Sequence, residues 1–105
     1  MVSDEILRLA TERLVQQFQP QRVILFGSQA RGTADARSDV DLLVVCPIAG
    51  GRRGTMVAMD RALRDLGFAR DIVILTPEEF ERDRHIPGTV ARPAWLEGKI
   101  LYEAH

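Results

Sequence analysis

Residues Leu25–Val45 have the sequence LFGSQARGTADARSDVDLLVV, in which two apolar runs flank a Gly-Ser turn and a polar loop. The second apolar run opens with two aspartates one residue apart. This pattern predicts a strand, a tight turn, a short helix, a loop and a second strand. Such a unit would bring a small hydroxyl residue and two carboxylates to one end of a sheet.

The two aspartates are predicted to project together. Residues two apart in a strand face the same side, so Asp39 and Asp41 share one face while Val40 points the other way. Two carboxylates about 6 Å apart repel by roughly 3 kcal/mol at an effective dielectric constant of 20. The pair therefore requires compensation by water, an arginine or a cation.

A third carboxylate opens the next apolar run, Asp71–Leu75 (DIVIL). If the two strands are neighbours, Asp71 lies about 5 Å from the first pair and completes an acidic triad. Hard oxygen ligands without histidine or cysteine favour Mg²⁺ or Mn²⁺ over zinc. Two such ions could clamp the attacking and leaving oxygens of a phosphoryl transfer. The alternative, that these aspartates are solvated strand-start residues, is favoured for any one of them but not for three at matching strand ends.

The Gly-Ser turn supplies groups that suit a phosphate. Gly27 permits a backbone conformation closed to other residues and allows close approach of a ligand. Ser28 carries a hydroxyl, and the guanidinium of Arg31 lies three residues on. Taken alone, these residues are more typical of an ordinary turn and a surface arginine.

The rest of the chain predicts one α/β sandwich, with its sheet covered by helices chiefly on one face. Helices are expected where apolar residues recur at helical spacing, and strands where short apolar runs lie between turn signals. The expected elements are a helix over 3–18 capped by Ser3, a strand over Arg22–Phe26, a helical turn over Gln29–Gly32, a strand over Asp39–Val45, a flexible basic loop over Ile48–Thr55, a helix through Met56, Met59, Leu63 and Leu66 that ends at Gly67, a strand over Asp71–Leu75, a helix to about Arg84 behind the capping box of Thr76, Pro77 and Glu79, a helical face formed by Val90, Ala94 and Trp95, and an edge strand over Ile100–Tyr102.

Composition limits the class of protein. A chain of 105 residues is expected to form a single domain over 1–105. Its 46% apolar and 28% charged residues are ordinary for a soluble globular protein, and its formal net charge of -1 argues against direct nucleic-acid binding. A single cysteine, Cys46, indicates a reducing cytoplasm, and no apolar stretch is long enough to cross a membrane.

Gly27-Ser28, ten intervening residues and Asp39-Val40-Asp41 between apolar strands resemble the signature of the DNA polymerase β-like nucleotidyltransferase superfamily. The longer string GSQARGTADARSDVDLLVV is similar to its minimal nucleotidyltransferase (MNT) branch, small proteins like the antitoxins of HEPN/MNT toxin–antitoxin pairs. The resemblance extends over essentially the whole chain. It implies an α+β nucleotidyltransferase fold with a small mixed sheet.

The resemblance also implies roles for individual residues. Gly27 and Ser28, with Arg31, would bind the nucleotide; Asp39 and Asp41 would bind two Mg²⁺ ions, with Mn²⁺ as a substitute. Asp71 would complete the metal site and orient or deprotonate the acceptor hydroxyl. The implied reaction transfers AMP from ATP, or a nucleotide from another nucleoside triphosphate, to a tyrosine of a HEPN-type toxin supplied by a separate chain.

Two other functions stay open at this point. The chain could be a binding module that neutralises a toxin by occlusion, without catalysis. It could also transfer a nucleotide to a small molecule or nucleic acid held by another subunit, because no segment of the sequence looks like an acceptor-binding domain.

Overall fold

The apolar runs on either side of the Gly27-Ser28 turn form the two central strands of a four-stranded sheet. The computed structural model describes residues 2–32 and 39–104. The polar loop predicted between Gly32 and Asp39 therefore lies outside the described residues, apart from its ends. None of the helices within the described residues is long and apolar enough to cross a lipid bilayer.

Helices and strands alternate along most of the chain. The elements are α1 (Asp4–Phe18), β1 (Arg22–Phe26), α2 (Ser28–Arg31), β2 (Val40–Val45), α3 (Arg52–Leu63), β3 (Arg70–Leu75), α4 (Pro77–Asp83), α5 (Ala91–Glu97) and β4 (Lys99–Glu103). Helix α3 continues into a single 3-10 turn at Arg64–Leu66 before β3.

The sheet is mixed, with strand order β3-β2-β1-β4. Strand β1 pairs antiparallel with both β2 and β4, whereas β2 and β3 are parallel. Parallel strands need a crossover connection, and α3 provides it. The carboxyl end of β1 consequently lies beside the amino ends of β2 and β3, which confirms the predicted mixed α+β architecture.

One face of the sheet is covered by the two longest helices, α1 and α3. Ser3 caps α1 by accepting a hydrogen bond from the Ile6 N–H at 3.2 Å, as its sequence position predicts. The apolar stripe of α1 buries Leu7, Ala10 and Leu14 against alternate residues of the strands. This face holds the larger apolar cluster, in which α3 buries its own residues Met59 and Leu63.

The other face is covered by the two seven-residue helices α4 and α5. Thr76 and Glu79 form the predicted capping box at the start of α4. Phe80 of α4 meets Trp95 of α5 edge to face, with ring centroids 6.0 Å apart. The guanidinium of Arg22 lies 5.3 Å from the Phe80 ring centroid and 5.6 Å from that of Trp95. These contacts hold both short helices against β1, and Trp95 is therefore a packing residue of the domain.

The structure corrects two sequence predictions. Residues 52–55 belong to the first turn of α3 and not to a flexible basic loop, and Arg52 forms an ion pair with Glu79 at 2.6 Å. Val90 does not pack onto the sheet: it is 43% exposed and Ala91 is buried instead, whereas Ala94 is buried as predicted.

Gly98, between α5 and β4, is held in a space too small for any side chain. A Cβ built there would collide with the Ala94 carbonyl oxygen and lie 2.6 Å from Ile24 Cγ2 and 2.9 Å from the Leu25 carbonyl oxygen. We expect Gly98→Ala to lower the free energy of unfolding by about 1–3 kcal/mol. Thermal unfolding would show this as a Tm decrease of about 4–8 °C per kcal/mol.

Gly54→Ala is the matched control, because Gly54 lies in α3 with nothing within 4 Å of an added Cβ. Alanine is the better helix former there and should raise stability by about 0.5–1 kcal/mol. Equal Tm values for the two variants would contradict the tight packing of Gly98.

Candidate active site

The strand register brings two of the three predicted aspartates side by side. Asp41 of β2 pairs with Asp71 of β3 in the parallel ladder, and with Phe26 of β1 in the antiparallel one. Paired residues of neighbouring strands project on the same face, so both carboxylates stand on the face that carries α4 and α5. Asp39 immediately precedes β2 and is exposed.

These carboxylates act on one another electrostatically. The pKa of Asp41 is raised, chiefly because burial removes water from the charged form and then because Asp71 and Asp39 repel it. The Arg31 guanidinium acts in the opposite direction and offsets part of this rise. The three aspartates and Arg31 therefore belong to one electrostatic cluster with an uncompensated negative charge.

Gly27 supports this cluster in a way that the sequence did not reveal. Its φ of 76° and ψ of -156° lie in a backbone region that is essentially restricted to glycine. A Cβ at this position would collide with Asp41 Oδ2 and lie 3.2 Å from Asp41 Cγ. Besides permitting the turn, Gly27 thus leaves the space into which the Asp41 carboxylate fits.

Ser28 and Arg31 are the first and last residues of the short helix α2, which follows directly on Gly27. The side chain of Arg31 is 52% exposed, and Nη1 lies 4.0 Å from Glu97 Oε2 at the end of α5. Glu97 is a neighbour of the site that sequence reasoning missed. No local signal marks it, because α5 reaches this end of the sheet only through the packing of Gly98 against β1.

The carboxylates suit a hard divalent cation by donor chemistry. Asp41 and Asp71 stand abreast, and a cation would neutralise the part of the rise in the pKa of Asp41 that comes from the neighbouring carboxylates, after the larger part that comes from burial. Among residues 2–32 and 39–104, however, no group of three or more acidic, histidine or cysteine side chains is arranged to hold a metal ion. Asp39 repels Asp41 electrostatically, but it does not form a three-residue metal-ligand group with Asp41 and Asp71.

A cavity of about 410 Å³ adjoins Asp71 on the outer side of the sheet. It lies between α3 and β3, and Met56 and Val57 of α3 contribute its apolar wall. A second cavity, of about 540 Å³, lies between α1 and β4 and contains none of the three aspartates. Asp71 borders the first cavity, which lies on the α3 face of the sheet, opposite to the face on which the carboxylates stand.

Other charged or reactive side chains, Arg53, His85 and Cys46, do not belong to this cluster. Arg53 and His85 are exposed, and His85 has Glu81 as a neighbour at 3.9 Å. Cys46 is buried in the larger apolar cluster, where burial raises the pKa of its thiol, as expected for an inert core cysteine.

Comparison with known proteins identifies the family of the chain. Residues 7–102 match the family model described as "Nucleotidyltransferase domain". The chain belongs to the nucleotidyltransferase domain family. This membership confirms the nucleotidyltransferase domain expected from the Gly27-Ser28 and Asp39-Val40-Asp41 signature.

A solved structure shares the fold of this nucleotidyltransferase domain. It is the 1.40 Å crystal structure of a Sulfolobus solfataricus protein described as a candidate nucleotidyltransferase. The TM-score is 0.63 at 21% sequence identity, with 94% of this chain and 78% of that chain covered. No curated protein sequence matches the chain.

We predict that Asp41→Asn stabilises the nucleotidyltransferase domain at neutral pH in the presence of a chelator. Folding raises the pKa of Asp41, so this group favours the folded state at acid pH, and that contribution is lost as pH rises through the folded pKa. The gain should appear as a higher Tm at pH 7 and should vanish below about pH 4, where Asp41 is protonated in both the folded and the unfolded state. Thermal unfolding from pH 3.5 to 8 measures it.

Asp65→Asn is the control with the opposite sign. The hydrogen bond from Arg13 lowers the pKa of Asp65, so this contribution is present at neutral pH and lost as pH falls through the folded pKa. Asp65→Asn should therefore destabilise at pH 7. A decrease in Tm for Asp41→Asn at pH 7 would show that the aspartates do not repel one another.

A double-mutant cycle tests the contact between Gly27 and Asp41. Gly27→Ala should cost about 1–3 kcal/mol through backbone strain, plus the collision with the carboxylate. In an Asp41→Ala background the collision is gone, and the cost should fall measurably. Gly32→Ala, also at positive φ but with open space around it, should cost the same in both backgrounds. Urea unfolding gives the four free energies, and purely additive values for Gly27 would refute the contact.

Proposed function

We propose that this domain is a Mg²⁺-dependent nucleotidyltransferase that transfers AMP from ATP to a hydroxyl of a partner protein. The observation that carries the proposal is the pairing of Asp41 with Asp71 next to Gly27. Two carboxylates placed abreast on neighbouring strands are costly without a cation, and the pKa of Asp41 is raised first by burial and then by repulsion from Asp71. Because the chain belongs to the nucleotidyltransferase family, we assign the paired carboxylates to nucleotidyl transfer.

The roles of the residues follow from their positions. Ser28 and Arg31 would contact the phosphates of the nucleotide, since a hydroxyl and a guanidinium both donate hydrogen bonds to phosphate oxygens. Asp39, Asp41 and Asp71 would hold the metal ions through carboxylate oxygens. Bound Mg²⁺ would neutralise the phosphate charge and hold the reacting oxygens in line.

The reaction is a displacement at the α-phosphorus. The acceptor oxygen forms a bond to phosphorus, the bond to the bridging oxygen breaks, and pyrophosphate leaves. The hydroxyl proton passes to Asp71, whose carboxylate lies on the open side of the pair, at the edge strand. Asp41, which lies deeper in the sheet, keeps its role as a ligand.

A separate protein is the acceptor that best suits the surroundings of Asp71. The adjoining cavity is lined by residues of α3 and β3 and opens along the edge of the sheet. We further propose that the acceptor is a tyrosine of a HEPN-type toxin and that the domain acts as its antitoxin in the cytoplasm. This assignment rests on the resemblance of the GSQARGTADARSDVDLLVV string to minimal nucleotidyltransferases.

The transfer can be tested with α-labelled ATP, MgCl₂ and the protein encoded by the adjacent open reading frame. Label should pass to that protein with the wild-type domain. Labelling should fall at least about a hundredfold for Asp39→Asn, Asp41→Asn or Asp71→Asn, because each removes a carboxylate from the metal site. Glu78→Gln, an exposed acidic residue at the start of α4, is the matched control and should label as the wild type does.

The outcomes separate the candidate functions. Equal labelling by wild type and the Asp41→Asn variant would refute the assigned roles. A toxin neutralised equally well by the Asp39→Asn/Asp41→Asn variant, with no label transferred, would establish occlusion instead.

A further inference from the structure

The outer edge of β3 has free backbone groups. Within the described residues β3 has a strand neighbour on one side only, β2. The Val40 N–H donates to the Ala69 carbonyl at 2.9 Å, and the Cys46 N–H donates to the Leu75 carbonyl at 3.0 Å. Backbone groups of a strand alternate in direction, so the N–H and C=O groups of Ile72 and Ile74 point away from β2. They form a template for a further strand.

The part of this edge over Ile72–Leu75 lacks the features that usually protect an edge strand. The pairing of β3 with β2 runs without a bulge, and after the charged residues Arg70 and Asp71 the strand contains neither proline nor a charged side chain. The opposite edge, β4, has a register shift against β1 between Val23 and Ile24, and it begins with Lys99. Of the two edges, β3 is the one suited to strand addition.

Exposed apolar side chains flank the β3 edge. Val57 of α3 is 48% exposed and Met56 is 38% exposed, and both line the cavity of about 410 Å³ that also contacts Ile72 and Asp71. An added strand would cover these side chains on its α3 side. Its side chains on the opposite face would stand beside Asp71, because residues alternate across a strand.

One buried donor in the polar lining of the cavity, Arg70 Nε, has no hydrogen-bond acceptor among the described residues. The Arg70 side chain is only 10% exposed. Asp60 pairs with Arg70 at 2.9 Å and with Arg64 at 3.7 Å, so two guanidinium groups share one carboxylate. The side chain of Arg64 is 69% exposed, so this guanidinium is the accessible one and can pair with a carboxylate of an incoming chain.

We propose that the polypeptide bearing the acceptor hydroxyl adds to the sheet as a fifth strand along β3 and places that hydroxyl against Asp71. The inference rests on the proposed function and specifies how a domain of this size captures its protein substrate. The segment has the hydroxyl residue on the Asp71 face, flanked by residues on the α3 face that are apolar towards Val57 and acidic towards Arg64. Its backbone bonds to Ile72 and Ile74.

Amide hydrogen exchange tests the geometry directly. The domain is mixed with the acceptor protein that becomes labelled in the transfer experiment, without ATP, and exchange is followed by NMR. The amides of Ile72 and Ile74 should exchange more slowly in the complex. The amides of Val73 and Leu75, which already bond to β2, serve as internal controls and should change little.

A pair of variants supplies the second readout. Val57→Arg should raise KM for the acceptor about tenfold, because one apolar side chain is no longer buried in the complex. Ile100→Arg is the matched control: it is also 48% exposed but lies on β4, and its KM should stay within about twofold of wild type. Both substitutions are at exposed positions and leave the apolar core intact.

The outcomes are distinguishable from those of the proposed function. A labelled acceptor with slowed exchange at Ile72 and Ile74 and a selective effect of Val57→Arg supports strand addition. A labelled acceptor with unchanged exchange at both amides, or with equal KM for the two variants, overturns strand addition and leaves the transferase function standing. Absence of any labelled acceptor overturns the proposed function itself, and this inference with it.

Discussion

The parallel register between β2 and β3 is the constraint on which the site depends. It sets Asp41 beside Asp71 and so creates the repulsion that a cation would relieve. A shift of one residue would turn every side chain of β3 to the other face and separate the two carboxylates. The register is secured by apolar residues on both faces: Ile72 and Ile74 pack in the larger cluster, and Val73 packs in the smaller one.

Stability and chemistry make opposite demands at this place in the sheet. The fold buries one of the aspartates further than its charge favours, and it uses a glycine-only backbone conformation at Gly27 to make room for it. Packing contacts on the same face of the sheet offset this loss of stability. The rings of Phe80 and Trp95, with Arg22 over both, hold α4 and α5 on the same face.

Much of the fold could be predicted from the sequence, because its signals are local. The Ser3 cap, the box of Thr76 and Glu79, and the apolar runs of the strands each follow from neighbouring residues. Where prediction failed, the cause was a distant contact, such as the ion pair with Glu79 at the first turn of α3. The convergence of Asp41 with Asp71 could be expected only on the assumption that their strands are neighbours. The close fit of Gly27 to Asp41 and the approach of Glu97 to Arg31 had no local signal.

The two apolar clusters differ in size and lie on opposite faces of the sheet. The larger one, under α1 and α3, contains no residue of the acidic cluster, whereas the paired carboxylates share their face with the short helices. Surface substitutions in the short helices would therefore alter what can approach the carboxylates, while the larger cluster keeps its packing.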